Sequence, residues 1–112
     1  MKLHIDDLIL YRGNPGLEYG VAGAFVNHES GRPTTSEGKP IVVKYLPEEK
    51  KYIVLDGYHR IVKGLLEGKR IFTCTFEGSH EHDYWVPPSN KRFRLTESHL
   101  RRIIRKVFIS SL

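Results

Sequence analysis

What the chain has little of narrows the field first. Its 112 residues include one cysteine, Cys74, so no internal disulfide can staple it. A domain of that length buries enough of its unfolded surface to fold without one. The lone thiol sits inside the apolar run IFTCTF, where a strand is expected, and such sparse use fits a reducing compartment. No apolar run approaches the roughly 18 residues of a membrane-spanning helix. The opening MKLHIDDLIL has neither the long apolar segment nor the small-residue cleavage site of a secretory signal. Internal repeats and low-complexity tracts are also missing, which excludes solenoids and linker-like chains. The expectation is a complete, cytoplasmic, single domain over 1–112, with no membrane partner.

Acids are scarce in one place. From Lys91 to Lys106 seven basic residues (Lys91, Arg92, Arg94, Arg101, Arg102, Arg105, Lys106) stand against the single acid Glu97. The net charge of +5 is therefore a C-terminal property, and the rest of the chain is close to neutral. Such asymmetry points to an acidic partner such as nucleic acid.

Periodicity predicts an α+β fold, with a small, mixed, partly antiparallel β-sheet and short helices. LHIDDLILY reads as a short first strand, with Asp6-Asp7 as a turn or cap, and RGNPG as a turn. From Leu17 to Gly38 the chain is rich in Gly, Ser, Thr and Pro, and reads as a long, partly irregular connection containing the short apolar piece VAGAFV. PIVVKYL and YIVL form a hairpin through PEEKK, and RIFTCTF is the next strand. Between them lies a short helix, roughly His59 to Glu67, with Ile61, Leu65 and Leu66 towards the core and Gly68 as a left-handed stop. EGSHEHDYWVPPSNK reads as a loop with an aromatic anchor. Thr96 then caps a last helix over about 96–109. Leu100, Ile103, Ile104 and Val107 form its apolar stripe, and Arg101, Arg102, Arg105 and Lys106 lie opposite.

The junction DGYHR carries the most chemistry. A strand there meets a tight turn, Gly57 allows close backbone approach, and the helix start presents N–H groups that attract anions. Arg60 adds a planar fork suited to phosphate oxygens, and His59 a hydrogen-bond donor or proton shuttle. A cation in the first helical turn opposes the helix dipole, and such local conflicts gather at functional sites. The plainer alternative has Asp56 capping the helix, with His59 and Arg60 solvated.

Other clusters have two readings each. His80, His82 and Asp83 lie close together, and in an extended chain His80 and His82 share a face that suits a metal, but a solvated loop is the better account, so no metal site is assigned. Tyr84, Trp85, Pro87 and Pro88 either stack on a base or cover the edge of a small sheet. The basic C-terminal helix is either a solvated face or a phosphate-backbone contact, and four cations on one side favour the second. Acids available for catalysis are Asp6, Asp7, Glu18, Glu29 and Asp56, of which Asp56 is first by adjacency.

Residues 39–76, KPIVVKYLPEEKKYIVLDGYHRIVKGLLEGKRIFTCTF, resemble the core of the ParB/sulfiredoxin superfamily: hairpin, then a G-x-x-R-type turn into a short helix that ends at Gly before another strand. DGYHR also resembles the D-G-Q-H-R signature of a related group in DNA-modification systems. IDDLILYRGNPG is similar to the family's opening strand and Asn-Pro turn, with Gly16 where ParB proteins carry Arg.

The resemblance implies a ParB/sulfiredoxin-like fold and a phosphate- or nucleotide-binding turn at Gly57, Tyr58, His59 and Arg60. Tyr58 stands where sulfiredoxins carry their catalytic cysteine, so that chemistry is not expected. No segment is left for the helix-turn-helix domain and dimerisation tail of ParB partition proteins. The expected function is nucleic-acid or nucleotide binding through this turn, extended by the basic C-terminal residues. One alternative is a nuclease, nucleotide hydrolase or phosphotransferase, with Asp56 and His59 catalytic and a nucleoside triphosphate with Mg2+ as cofactor. The other is a protein-interaction (inhibitor) module of mobile-element origin.

Overall fold

The computed structural model describes residues 1–13, 20–29, 31, 39–77, 84–96, 98 and 102. Its centre is the hairpin of β3 (Ile41–Leu46) and β4 (Lys51–Asp56). Their β-branched and aromatic residues suit a pleated surface, and Val43 faces Val54 while Tyr45 faces Tyr52 across the antiparallel pair. After β4 the chain forms α2 (Tyr58–Leu66) and returns as β5 (Ile71–Phe76), which lies parallel to β3. Tyr58, Ile61, Val62 and Leu65 repeat at helical spacing and are all buried, so one face of α2 is fixed on the sheet. The helix ends in a paired cap: Lys69 N–H donates to the Gly64 carbonyl at 2.8 Å and Gly68 N–H to that of Leu65 at 3.1 Å.

The N-terminal stretch, expected as one short strand with a turn or cap at Asp6-Asp7, is two strands, β1 (Lys2–His4) and β2 (Leu8–Tyr11), on either side of a 3-10 turn at Ile5–Asp7. β1 pairs antiparallel with β5, and β2 pairs parallel with β4. A two-residue strand, β6 (Arg92–Phe93), follows a 3-10 turn at Ser89–Lys91 and adds antiparallel to β2. The order β1-β5-β3-β4-β2-β6 makes a mixed six-stranded sheet, and the protein is a small α+β fold.

This order forces curvature. β1 and β2 stand four strand positions apart, so a flat sheet would separate them by about 19 Å. The four Cα steps from His4 to Leu8 reach at most about 14 Å. The sheet therefore curls, and Ile5, inside the bridging turn, is buried in the main core. That core joins Leu8, Leu10, Val43, Val54, Phe72 and Cys74 to the helices. A second cluster (Ile9, Val42, Leu46, Ile53, Leu55) fills the other face, with Tyr84 and Val86 packed against it.

One expectation is corrected. Within the supposed irregular connection, Val21–Glu29 is a helix, α1, packed on α2. Val21 and Ala24 are its buried contacts, and small residues let it lie close to its neighbour. A continuous short apolar run has no helical stripe to read, so pattern alone could not separate helix from loop. The C-terminal helix proposed over about 96–109 lies outside the described residues apart from Thr96, which is outside any helix, and Ser98 and Arg102, which are helical. His80, His82 and Asp83 also lie outside them. Among the described residues no helix is long and apolar enough to cross a membrane.

Candidate functional site

The DGYHR junction is shaped by a register shift. Val43 faces Val54, but Val42 faces Asp56, so Leu55 is an extra residue in β4. Such a bulge re-aims the side chains beside it, and Asp56, at the end of β4, is exposed. Gly57 follows at φ 111°, ψ 21°, a left-handed conformation that side chains rarely adopt. A Cβ there would lie 2.9 Å from Ile41 Cγ1 and 3.1 Å from Arg60 Nη2. Gly57 stands just before α2 in the capping position and, having no side chain, makes no side-chain cap. That position is therefore not held by Asp56, as the plainer reading has it.

Arg60 folds back over this turn. Its Nη1 donates to the carbonyls of Lys39 and, at 2.6 Å, Pro40, and its Nη2 lies 3.8 Å from Asp56 Oδ2. The conflict with the helix dipole is thus offset within the chain by one carboxylate and two carbonyls. The side chain is only 12% exposed, and burial lowers the Arg60 pKa while Asp56 opposes that shift. Its Nε is buried with no hydrogen-bond partner, a donor left over after these contacts. Tyr84 lies near enough to Asp56 for that charge to add to burial in raising its pKa.

The other motif residues face elsewhere. Tyr58, expected in the phosphate-binding turn, is a core residue: its hydroxyl accepts from Tyr11 N–H at 2.9 Å and donates to the Val54 carbonyl at 2.8 Å. An aromatic ring at the first buried position of the helix is spent on packing, so its side chain does not reach a ligand. His59, half-buried, meets Asn27 of α1 through Nε2 at 2.8 Å. The structure thus brings Asp56 to Arg60, and ties His59 to the neighbouring helix.

A basic surface around Arg60 was not singled out by the sequence. Two clefts share the Arg60 side chain. One, about 320 Å³, is lined by Lys39, Arg60, Lys63, Glu67 and Lys69 together with Ile41, Gly64 and Thr73. The other, about 580 Å³, adds Lys2 and Arg70 around Lys69 and Ile71. Among the described residues, six cations and one acid line the pair. These basic residues come from β1, from the residue pair before β3, from α2 and from the turn before β5, so no local motif announces them. Their only sequence signal is that most of them flank or follow the DGYHR core.

Of the expected nucleic-acid contacts, Lys91, Arg94 and Arg102 are exposed. Arg92 is held by Glu49 at 3.2 Å and by the Pro87 carbonyl at 2.8 Å, which makes it part of the scaffold under β6. Arg101, Arg105 and Lys106 lie outside the described residues. Comparison of the chain with protein-family models, with curated proteins and with solved structures finds no match.

Proposed function

We infer that this protein binds nucleic acid or a nucleotide by its phosphates, at the clefts around Arg60, in a cytoplasmic setting. The observation that carries the reading is the concentration of Lys2, Lys39, Arg60, Lys63, Lys69 and Arg70 around two adjoining clefts, with Glu67 the lone acid among the described residues there. Cations gathered this way repel one another, and a polyanion relieves that cost while its counterions are released. In this reading Arg60, fixed by the carbonyls of Lys39 and Pro40, is the rigid centre of the site, and the lysines around it meet the phosphates. The ParB/sulfiredoxin-like turn supplies the same placement, a basic residue just inside the helix that follows the Gly. The basic C-terminal segment, with Lys91, Arg94 and Arg102 exposed, extends the electrostatic footprint.

The fit to a nucleoside triphosphate with Mg2+ is partial. The cations around the clefts suit its phosphates. Among the described residues no three His, Cys, Asp or Glu side chains come together as a metal site. A Mg2+ here would be held chiefly by the ligand's own phosphates, with Asp56 the carboxylate beside Arg60.

The test is the paired variant Lys63→Glu, Lys69→Glu, both on the cleft rim and away from the contacts that hold Arg60. Binding to a labelled duplex is followed from low to moderate salt. Affinity at low salt is expected to fall by about tenfold or more, and the salt slope by about 0.9 for each phosphate that is no longer neutralised. Tripolyphosphate should compete with the duplex on the unaltered protein. An unchanged affinity and slope would remove the clefts from the reading.

A further inference from the structure

The two clefts around Arg60 are continuous. Arg60, Lys69 and Thr73 line both of them and form a waist, with Lys39 in the smaller cleft and Lys2 and Arg70 in the larger. Together they make one trough. It runs from the residues before β3, past the turn between α2 and β5, to the edge strand β1. Each half, at about 320 and 580 Å³, has the size that takes one small organic ligand.

The free charges are spread along the trough and not gathered at one point. Lys39, Lys69 and Lys2 are exposed, and none of the three makes an ion pair among the described residues. They stand in the smaller cleft, at the waist and in the larger cleft in turn. Between the last two the floor becomes apolar. Ile71, 57% exposed, lies on β5 between Lys69 and Thr73, and Thr73 faces Lys2 across the β1–β5 pair. Alternation along the strand puts Ile71 and Thr73 on one face, about 7 Å apart.

A compact anion such as a triphosphate is matched by cations drawn together. Cation, apolar residue and cation in succession instead match a chain of phosphate, nucleoside and phosphate, whose backbone a basic groove tracks. A duplex keeps its bases stacked inside and offers a recessed floor mainly phosphates and sugars. We propose that a single-stranded stretch of nucleic acid crosses the waist and occupies both clefts at once. Successive phosphates meet Lys39, Lys69 and Lys2, and a nucleoside lies on Ile71 between the last two. The proposal rests on the phosphate-binding reading above and narrows its ligand to a chain longer than one nucleotide.

The full chain is titrated at several salt concentrations with thymidine monophosphate, an octamer of thymidylate, a duplex and tripolyphosphate. Affinity at low salt is expected to rise by about tenfold or more from the mononucleotide to the octamer, as the second cleft fills. Lys2→Gln and Lys39→Gln, at opposite ends of the trough and both exposed, should each lower the octamer's salt slope by about 0.7. Ile71→Asn should weaken the octamer by about three- to tenfold through lost apolar contact and leave tripolyphosphate unaffected. Equal affinity for mononucleotide and octamer would overturn the proposal and leave phosphate binding at the clefts standing. So would an octamer slope that only one of the two lysine changes alters, or a duplex bound where the octamer is not. Failure of all four ligands to bind would overturn both.

Discussion

The hydroxyl of Tyr58 accepts from one strand and donates to another, so a single buried oxygen ties β2 and β4 to the start of α2. Tyr58→Phe keeps the ring and removes both bonds in a setting where water does not readily replace them. A loss of about 2 kcal/mol is expected, read as a lower urea midpoint at unchanged slope. Phosphate binding by the folded variant should be untouched, because the ring faces the core and not the clefts.

Cys74 carries a pH signature. It is 2% exposed, and burial pushes its thiol from 9.0 up to about 11, with the N-terminal ammonium and Arg60 opposing. An unfolded chain releases this proton near pH 9 and the folded one near 11. Above pH 9 the folded state therefore holds the extra proton, and stability falls as pH rises towards 11. The full change is on the order of 2 kcal/mol. Thermal melts at pH 8 and 10.5 measure it, with Cys74→Ser as the reference that should lose this part of the slope.

Between elements, α2 approaches β5 closely. A Cβ on Gly64 would lie 2.6 Å from Phe72 Cε1, and Phe72 is itself buried against the helix. Gly64→Ala should therefore cost about 1–3 kcal/mol through overpacking, although alanine is the better helix former. If the variant were instead more stable in urea, the packing distance would be refuted. The sequence made this helix legible because Ile61 and Leu65 repeat at helical spacing and Gly68 closes it. The strands β3, β4 and β5 were legible for a similar reason, in their β-branched runs. Helix α1 was not, since VAGAFV is apolar all round and its flanks look like loop. The bulge at Leu55 left no trace in the residue pattern either, because it depends on how β3 meets β4.

For the whole molecule, counting charges along the chain located the positive end but missed the positive surface. Lys2, Lys39, Lys63, Lys69 and Arg70 are scattered among neutral stretches, and only the curled sheet collects them around Arg60. That Asp56, Gly57 and Arg60 come together was readable because they are adjacent, whereas the destination of Tyr58 depended on β2, far away in sequence. The three-residue bridge at Ile5–Asp7 also has a consequence in time. β1 and β2 are the earliest of the described strands to be synthesised, yet their partners are Ile71–Thr73 and Tyr52–Ile53. Hairpin, α2 and β5 can assemble from near neighbours as they emerge. On the ribosome β2 must wait until β4 is made and β1 until β5 is, and the seam they close is the slow, non-local step of folding.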